Sequence, residues 1–361
     1  MTSHTLKALA VSGLACLAIA AACLPATGQT TTTIRVGFCA KTVSAAGAAA
    51  FAVATKMGWY AKDGIKVELV PMAGSGDCVK AVATKDVLFS VPSIEPLAVI
   101  RTQGVKAKNF YTAYQGYIYG FAVPVDSPVK SVADLRGKKI GMTSMSSAGL
   151  IVARALVQAN GMDPDKDVSL VVAGEGAQTA ALVRSKQVDA LSQFDTQYAM
   201  VENAGVKLRM LDNPEIAKFP SNGIIALEET LSARRKEAVA VAKGYAMGSV
   251  FAIANPEAAV RIFWEIFPQS KAVGKDEATA LKDDVNVLSA RIRNWQLEAG
   301  GAKKWGESVA ANYQDYIDWL VKNGVLKEKA NASDLITNDL VDEINAFDAA
   351  AIQQQAKDWK P

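Results

Sequence analysis

The chain has 361 residues, of which 50% are hydrophobic, 39 are basic, 36 are acidic and one is a histidine, His4. The single histidine lies in a segment predicted to be removed. Ser-His-Asp and Cys-His nucleophile systems and histidine-ligated metal sites are therefore excluded, because they all need an imidazole. The charges are balanced and mixed along the chain, which argues against a nucleic-acid surface or an electrostatic membrane patch. We expect about two domains, with no catalytic residue, metal or cofactor assigned.

The N-terminal residues 1–28 have the layout of a signal peptide for export. Lys7 supplies the positive charge, and the apolar run from Leu9 to Ala22 is too short to span a bilayer. A helical membrane anchor is the alternative interpretation. Cys23 follows three alanines and is a candidate for lipidation. We therefore expect an exported protein, either free or anchored as a lipoprotein through Cys23.

The next segment predicts alternating strands and helices in two series. The first series predicts strands at 34–38, 67–70 and 87–90, with helices at 45–57 and 74–84 between them. The second series predicts strands at 139–143, 168–172 and 188–191, with helices at 147–160 and 178–186. The two series also enter their third strands in the same way, through the segments 83–87 and 184–188.

Strands that alternate with helices form parallel sheets through right-handed βαβ units. Two such series predict an α/β protein with two similar lobes, each a mainly parallel sheet flanked by helices; one larger continuous sheet is the alternative. Residues 117–124 and 223–227 are predicted to cross between the lobes. The predicted division is lobe 1 at 29–120, lobe 2 at 121–222, and a return crossing with C-terminal helices that complete lobe 1 at 223–361.

Ligands of open parallel sheets bind outside the carboxyl ends of the strands. Several strand-end loops here are small and polar and open a helix, so they offer free N–H groups and the positive end of a helix dipole. Lys41 is the basic residue of these loops and a candidate partner for an anion, whereas Tyr114 could stack on a planar ligand. The candidate ligand-binding residues are Cys39, Lys41, Ser75, Asp77, Ser93, Glu95, Tyr114, Ser144, Ser146, Ser147, Glu175, Phe194 and Asp195.

Two cysteines outside the signal segment are placed where they could pair. Cys39 follows the first predicted strand, and Cys78 opens the helix after the second. Neighbouring parallel strands end at one edge of a sheet, and an exported compartment permits a disulfide. A Cys39–Cys78 disulfide and two separate buried thiols are both open from the sequence.

Three motifs resemble periplasmic binding proteins of the sulfonate, nitrate and thiamine-precursor type. They are Met57–Ile65 (MGWYAKDGI), Asp126–Gly141 (DSPVKSVADLRGKKIG) and Gln187–Leu191 (QVDAL). The resemblance extends over most of residues 34–330. It implies the type II periplasmic-binding-protein fold, in which two lobes close on a ligand about a hinge.

The resemblance also implies a function and partners. It implies an extracytoplasmic solute-binding protein, expected to be a monomer, that hands a small molecule to the permease and ATPase of an ABC importer. The ligand would be an organic acid, a sulfonate or a pyrimidine-like heterocycle. Two alternatives stay open: an exported enzyme that uses carboxylates of the cleft, and a receptor subunit for a membrane sensor.

Overall fold

The computed structural model describes residues 31–361. The predicted signal peptide and the lipidation candidate Cys23 lie outside the described residues, so both stay predictions. The predicted residue boundaries of the two lobes and the expected monomeric state stay predictions as well.

Within residues 31–361 the chain forms ten strands and sixteen α-helices. The strands are β1 (Thr32–Phe38), β2 (Ile65–Pro71), β3 (Phe89–Ser90), β4 (Ala107–Thr112), β5 (Tyr119–Pro124), β6 (Lys139–Met142), β7 (Ser169–Val172), β8 (Ala190–Phe194), β9 (Leu208–Met210) and β10 (Gly223–Leu227). The helices are α1 (Ala45–Lys56), α2 (Trp59–Lys62), α3 (Ser75–Ala83), α4 (Ile94–Thr102), α5 (Ala148–Ala159), α6 (Ala177–Arg184), α7 (Asp195–Asn203), α8 (Glu228–Ala233), α9 (Arg235–Ala254), α10 (Pro256–Ile266), α11 (Glu277–Trp295), α12 (Leu297–Gly300), α13 (Ala310–Lys322), α14 (Ala332–Leu335), α15 (Val341–Ile344) and α16 (Ala349–Asp358).

The strands form two sheets of five with the same topology. The first sheet has the order β2-β1-β3-β10-β4 and the second β7-β6-β8-β5-β9. In each sheet the first three strands are parallel, and the strand that arrives from the other half of the chain, β10 or β5, is antiparallel to both neighbours. This arrangement confirms the predicted α/β architecture with two sheets, which are mixed because β10 and β5 run against the other strands. We call the parts built on the first and second sheets lobe 1 and lobe 2.

The internal repeat extends to single backbone angles. Lys85 precedes β3 and Lys186 precedes β8, and these are the two residues other than glycine with positive φ in the described chain, at 63° and 55°. A left-handed conformation is uncommon for a side-chain-bearing residue. Its occurrence at equivalent positions indicates that the same tight turn re-aims the chain into the third strand of each lobe.

Some elements differ from the sequence expectation. The third strand of lobe 1 is only Phe89–Ser90, because the turn that begins at Lys85 takes up the preceding residues. The fourth strands, β4 and β9, were not predicted. The segment Ala107–Thr112 includes Lys108 and Asn109, and Leu208–Met210 has three residues, so neither shows the period-two pattern of a strand.

Small residues let the helices of lobe 1 pack closely. Seven of the twelve residues of helix α1 are alanine, and the helix lies against α9, α10 and α11. A Cβ on Gly248 of α9 would lie 2.0 Å from the backbone oxygen of Ala50, so the two helices touch through their backbones. Helix α9 is long and apolar enough to cross a membrane, but 72% of its apolar window is buried in the fold. It is therefore explained as a core helix.

Candidate functional site: the cleft between the lobes

The carboxyl ends of the two sheets face one another across a cavity. From lobe 1 come the end of β1, the loop after it, and the first residues of α1 and α3; from lobe 2 come the end of β8 and the start of α7. The crossing segments and α11 complete the wall. The lining residues are Phe38, Cys39, Ala40, Ser44, Gly47, Ser75, Val91, Tyr114, Ile118, Tyr119, Phe194, Thr196, Gln197, Asn222 and Arg291.

Aromatic rings form much of this wall. Phe38 ends β1, Tyr114 precedes the first crossing strand, Tyr119 begins it, and Phe194 ends β8. The rings of Tyr119 and Phe194 lie edge to face with centroids 6.0 Å apart. Since both strands belong to the second sheet, their ring positions are fixed by strand register. Such rings offer apolar faces and edges to a flat ligand.

One ion pair lies at the floor of the cavity. Arg291 of α11 donates from Nε to Asp195 Oδ2 at 2.9 Å and from Nη2 to Oδ1 at 2.6 Å. Asn294 Nδ2 donates to the same carboxylate at 2.9 Å, and the Arg291 guanidinium carbon lies 3.9 Å from the Tyr114 ring centroid. We call Tyr114, Asp195, Arg291 and Asn294 the cleft floor. Because α11 packs on lobe 1 and Asp195 begins α7 of lobe 2, the cleft floor joins the lobes.

The electrostatics of the cleft floor follow from burial and pairing. Burial by itself lowers the pKa of Arg291, but the attraction of Asp195 outweighs it and the pKa of Arg291 is raised, so the guanidinium stays charged. Burial raises the pKa of Tyr114 and Tyr119, so both phenols stay protonated. Arg291 is the one formally charged residue among those that line the cavity in the described chain, and Asp195 balances it.

The lobes meet a second time at the outer edge of the cleft, around two glycines. The N–H of Gly76 donates to the Ser146 carbonyl at 3.0 Å, the Ser146 hydroxyl donates to Asp77 Oδ1 at 2.7 Å, and the Ser144 hydroxyl donates to the Ala73 carbonyl at 2.6 Å. A Cβ on Gly74 would lie 2.5 Å from the Ser146 carbonyl oxygen. We call this contact, formed by Ala73, Gly74, Gly76, Asp77, Ser144 and Ser146, the rim clasp.

Another rim contact joins the loop after β1 in lobe 1 to the loop after β7 in lobe 2. The Glu175 carboxylate accepts hydrogen bonds from the N–H groups of Lys41 at 3.3 Å and Thr42 at 3.2 Å. Lys41 itself is exposed and does not line the cavity. The basic group in the cavity is Arg291, which comes from a helix rather than from a strand-end loop.

The thirteen candidate residues are therefore distributed over five places. Cys39, Ser75, Tyr114 and Phe194 line the cavity. Lys41, Asp77, Ser144, Ser146 and Glu175 lie at the rim contacts, and Asp195 lies in the cleft floor. Ser147 caps α5 by accepting from the Gly149 N–H, and Ser93 and Glu95 are fully buried in lobe 1.

The buried carboxyl of Glu95 accepts hydrogen bonds from three hydroxyl groups. It accepts from Tyr117 at 3.0 Å and from the hydroxyls of Ser93 and Tyr316. Burial raises the pKa of Glu95, although these hydrogen bonds oppose the rise. Tyr117 belongs to the first crossing segment and Tyr316 to α13, so Glu95 fastens the crossing segment to the C-terminal helices.

Cys39 and Cys78 are joined by a disulfide with their Cα atoms 5.8 Å apart. It links the loop after β1 to α3, as the first of the two sequence alternatives expects. Cys39 lines the cavity, and α3 carries Gly76 and Asp77 of the rim clasp. The disulfide therefore ties the cavity wall of lobe 1 to its rim.

Sequence reasoning missed most of the lining residues, Arg291 above all. It lies one helical turn from Val287 and Leu288, which are buried on α11. A charged residue on the apolar stripe of a helix is a signal that could have singled it out. Thr196 and Gln197 follow Asp195 in the first turn of α7 and were not among the candidates. Asn222 was missed because it precedes the return crossing.

Comparison with known proteins identifies a family and a relative of the chain. A family model described as NMT1/THI5 like matches residues 46–259. The riboflavin-binding protein RibY of Chloroflexus aurantiacus is 25% identical over 297 residues, which are 81% of this chain and 82% of RibY.

Two solved structures share the fold at low identity. The nitrate-binding protein NrtA of Synechocystis PCC 6803 has a TM-score of 0.60 at 16% identity, covering 92% of this chain and 99% of NrtA. The alkanesulfonate-binding protein SsuA of Xanthomonas axonopodis pv. citri, bound to MOPS, has a TM-score of 0.59 at 13% identity, covering 85% of this chain and 98% of SsuA. These likenesses show the two-lobed periplasmic-binding-protein fold.

Proposed function

The chain belongs to the NMT1/THI5-like family, and from this premise we propose that it is an extracytoplasmic solute-binding protein that encloses a planar, uncharged heterocycle and delivers it to an ABC import permease. The observation that carries the proposal is the aromatic cavity between the two lobes: among its lining residues within 31–361, Arg291 alone is charged, and Asp195 neutralises it. The ligand class is a pyrimidine-like ring or a flavin. The flavin alternative is supported by the similarity to RibY, which is named as a riboflavin-binding protein.

Closure of the lobes is the proposed mechanism. The cavity has a volume of about 50 Å³, whereas pockets that enclose drug-sized ligands span roughly 300–1,000 Å³. A ring-bearing ligand therefore enters only when the lobes separate. The Ser146–Asp77 bond of the rim clasp and the Glu175 contact are exposed hydrogen bonds that can break for entry and re-form over the ligand. The ligand then stabilises the closed form through its higher affinity for that form.

The carboxylates argue against the enzymatic alternative. None of the residues that line the cavity in the described chain is Asp or Glu. Glu95 is held by hydroxyls in lobe 1, Glu175 by backbone N–H groups at the rim, and Asp195 by Arg291. Acid–base catalysis requires a carboxyl group within hydrogen-bond reach of the substrate. Each carboxylate is better explained as a structural group.

The experiment is a thermal-shift screen of the purified protein against uncharged pyrimidines, riboflavin, aromatic acids and sulfonates. At about 100 times its dissociation constant a ligand adds about 2.7 kcal/mol to the free energy of unfolding. We expect uncharged heterocycles to raise the melting temperature and the acids and sulfonates to leave it unchanged. A response to sulfonates alone, or to no member of the panel, contradicts the proposal.

A pair of variants separates binding in the cavity from general surface binding. Phe194→Ala removes a half-buried ring from the cavity wall and should weaken binding about tenfold or more, because stacked aromatic contacts contribute about 0.5–1.5 kcal/mol beyond their buried area. Phe347→Ala is the control: it removes a half-buried ring that packs against the hydrophobic core and is not among the residues that line the cavity. That control should leave the affinity unchanged. Equal effects of the two substitutions place binding elsewhere.

A further inference from the structure

We propose that Asp195 sets the charge selectivity of the cavity: by neutralising Arg291 it excludes anions and reserves Arg291 Nη1 to donate to an uncharged acceptor, such as a ring carbonyl of the ligand. The inference rests on the proposed function and goes further, because it gives a specificity role to a residue that does not line the cavity.

The guanidinium has one nitrogen that the carboxylate does not engage. Asp195 accepts from Nε and Nη2, which leaves Nη1. Arg291 is only 4% exposed, yet it is one of the residues that line the cavity. The Tyr114 ring fixes the plane of the guanidinium from one side. Nη1 is therefore the guanidinium nitrogen that the carboxylate leaves available, on a residue that lines the cavity.

The carboxylate is locked in its place under Arg291. Besides the two bonds from Arg291 it accepts from Asn294 Nδ2 at 2.9 Å and from the Thr196 N–H at 2.8 Å. Four donors thus satisfy its two oxygens, and Asp195 cannot turn away when a ligand arrives without leaving them unpaired. The pair presents a dipole to the cavity and no net charge.

This arrangement discriminates by charge. An anionic ligand loses its hydration on entry and meets a cation whose charge Asp195 already balances, so burial of the anion is not compensated. An uncharged carbonyl loses much less hydration and gains a charge-assisted hydrogen bond from Nη1. The fold is shared with proteins named for nitrate and alkanesulfonate binding, so the fold by itself does not account for this selectivity.

The test changes the charge of each partner separately and uses small probes of matched shape. Benzenesulfonate, benzenesulfonamide and benzamidinium are negative, neutral and positive, and each is titrated calorimetrically and by thermal shift. Asp195→Asn leaves Arg291 uncompensated, so benzenesulfonate affinity should rise at least about tenfold relative to benzenesulfonamide. Arg291→Gln leaves Asp195 uncompensated, so benzamidinium should gain by a similar factor. The double variant D195N/R291Q should show neither gain.

Asp126→Asn is the matched control. It removes one negative charge from an exposed residue just after β5 in lobe 2, so it changes the net charge of the protein equally and should leave the ranking of the probes as in the unmodified protein. Benzenesulfonate should also raise the melting temperature of D195N, because the anion replaces the missing carboxylate, and should not raise that of D126N.

Three outcomes overturn the inference: an unchanged ranking in folded D195N and R291Q, a gain that persists in the double variant, or an equal gain in D126N. If D195N does not fold, the benzamidinium arm in R291Q decides. The proposed function can fail separately. If the unmodified protein binds no uncharged heterocycle but D195N gains benzenesulfonate binding, the charge selectivity set by Asp195 is supported and the ligand belongs to a different class.

Discussion

The two contacts between the lobes, the cleft floor and the rim clasp, differ in burial and in chemistry. In the cleft floor a buried arginine and a carboxylate form a bidentate pair, beside apolar packing of Ala199 of α7 with Val287 and Ala290 of α11. The rim clasp consists of hydrogen bonds around two glycines, of which the Ser144–Ala73 bond is partly buried and the Ser146–Asp77 bond is exposed. A buried charged pair is costly to break, whereas exposed hydrogen bonds exchange readily with water. The difference indicates that the cleft floor persists through opening and that the rim clasp is the part that opens.

The largest effect on the free energy of unfolding is expected when the cleft floor loses its carboxylate. Asp195→Ala leaves Arg291 buried without a partner and should lower the free energy of unfolding by about 3–5 kcal/mol. Denaturant unfolding followed by circular dichroism measures it. Asp77→Ala removes a carboxylate of the rim clasp and should cost less than about 1 kcal/mol, since it is exposed. Similar losses for the two variants would remove the distinction between floor and rim.

The disulfide is the next largest expected contribution to the free energy of unfolding, and it supports the lobe 1 side of the rim clasp. Cys39→Ala together with Cys78→Ala should lower the free energy of unfolding by about 3–4 kcal/mol, the range for a loop closed over 39 residues. Differential scanning calorimetry with and without reductant provides the check. Reductant should destabilise the unmodified protein and leave the double variant unchanged. A reductant effect of the same size in both would show that the disulfide is not its source.

The sequence predicted the fold better than the site, for a physical reason. Alternation of strands and helices is a local pattern, so the two βαβ series and the shared edge of Cys39 and Cys78 could be inferred. Arg291 reaches the cavity because the end of α11 is held against the hinge, where Asn294 O accepts from the N–H groups of Gln115 and Gly116. Such a contact depends on packing between segments almost 180 residues apart, and no local pattern specifies it.

Side chains that point in different directions from one loop set a second limit on what the sequence can predict. Ser144, Ser146 and Ser147 were chosen together because a polar loop opens a helix. The structure gives them different tasks: Ser147 caps α5, whereas the other two hydroxyls reach across to lobe 1. The sequence identifies the loop, but only the closed arrangement of the lobes shows what each hydroxyl faces.

At the rim clasp the expected effect is on conformation rather than stability. Gly74 has extended backbone, so alanine is tolerated locally, but its Cβ would lie 2.5 Å from the Ser146 carbonyl oxygen across the cleft. Gly74→Ala should hold the lobes apart and increase the radius of gyration in small-angle X-ray scattering. The free energy of unfolding should change by less than about 0.5 kcal/mol.

Ser146→Ala is the graded control for that substitution. It removes the hydroxyl bonds to Asp77 but leaves the close backbone approach intact. It should therefore give a smaller increase in the radius of gyration than Gly74→Ala. A scattering curve of G74A identical to that of the unmodified protein would mean that the rim clasp does not limit closure.

The smallest expected effect is on the pH dependence of the free energy of unfolding, through the Glu95 carboxyl that accepts a hydrogen bond from Tyr117 of the crossing segment. Burial raises the pKa of Glu95 in the folded protein, whereas the unfolded chain has the ordinary value. The stabilising contribution of the neutral carboxyl is therefore complete below the ordinary carboxyl pKa and is lost as the pH rises through the raised pKa. Glu95→Gln keeps a neutral side chain at every pH, so its stability should fall less than that of the unmodified protein over this interval.

Denaturant midpoints across the acidic to neutral range measure the slope. Glu68→Gln, on the exposed edge strand β2, changes the same functional group without burial and should follow the unmodified protein. A Glu95→Gln curve parallel to both would mean that the hydroxyls of Ser93, Tyr117 and Tyr316 fully offset the burial. In that case the crossing segment would be held equally well by the ionised carboxylate, and the hinge side of the cleft would carry no pH dependence from this group.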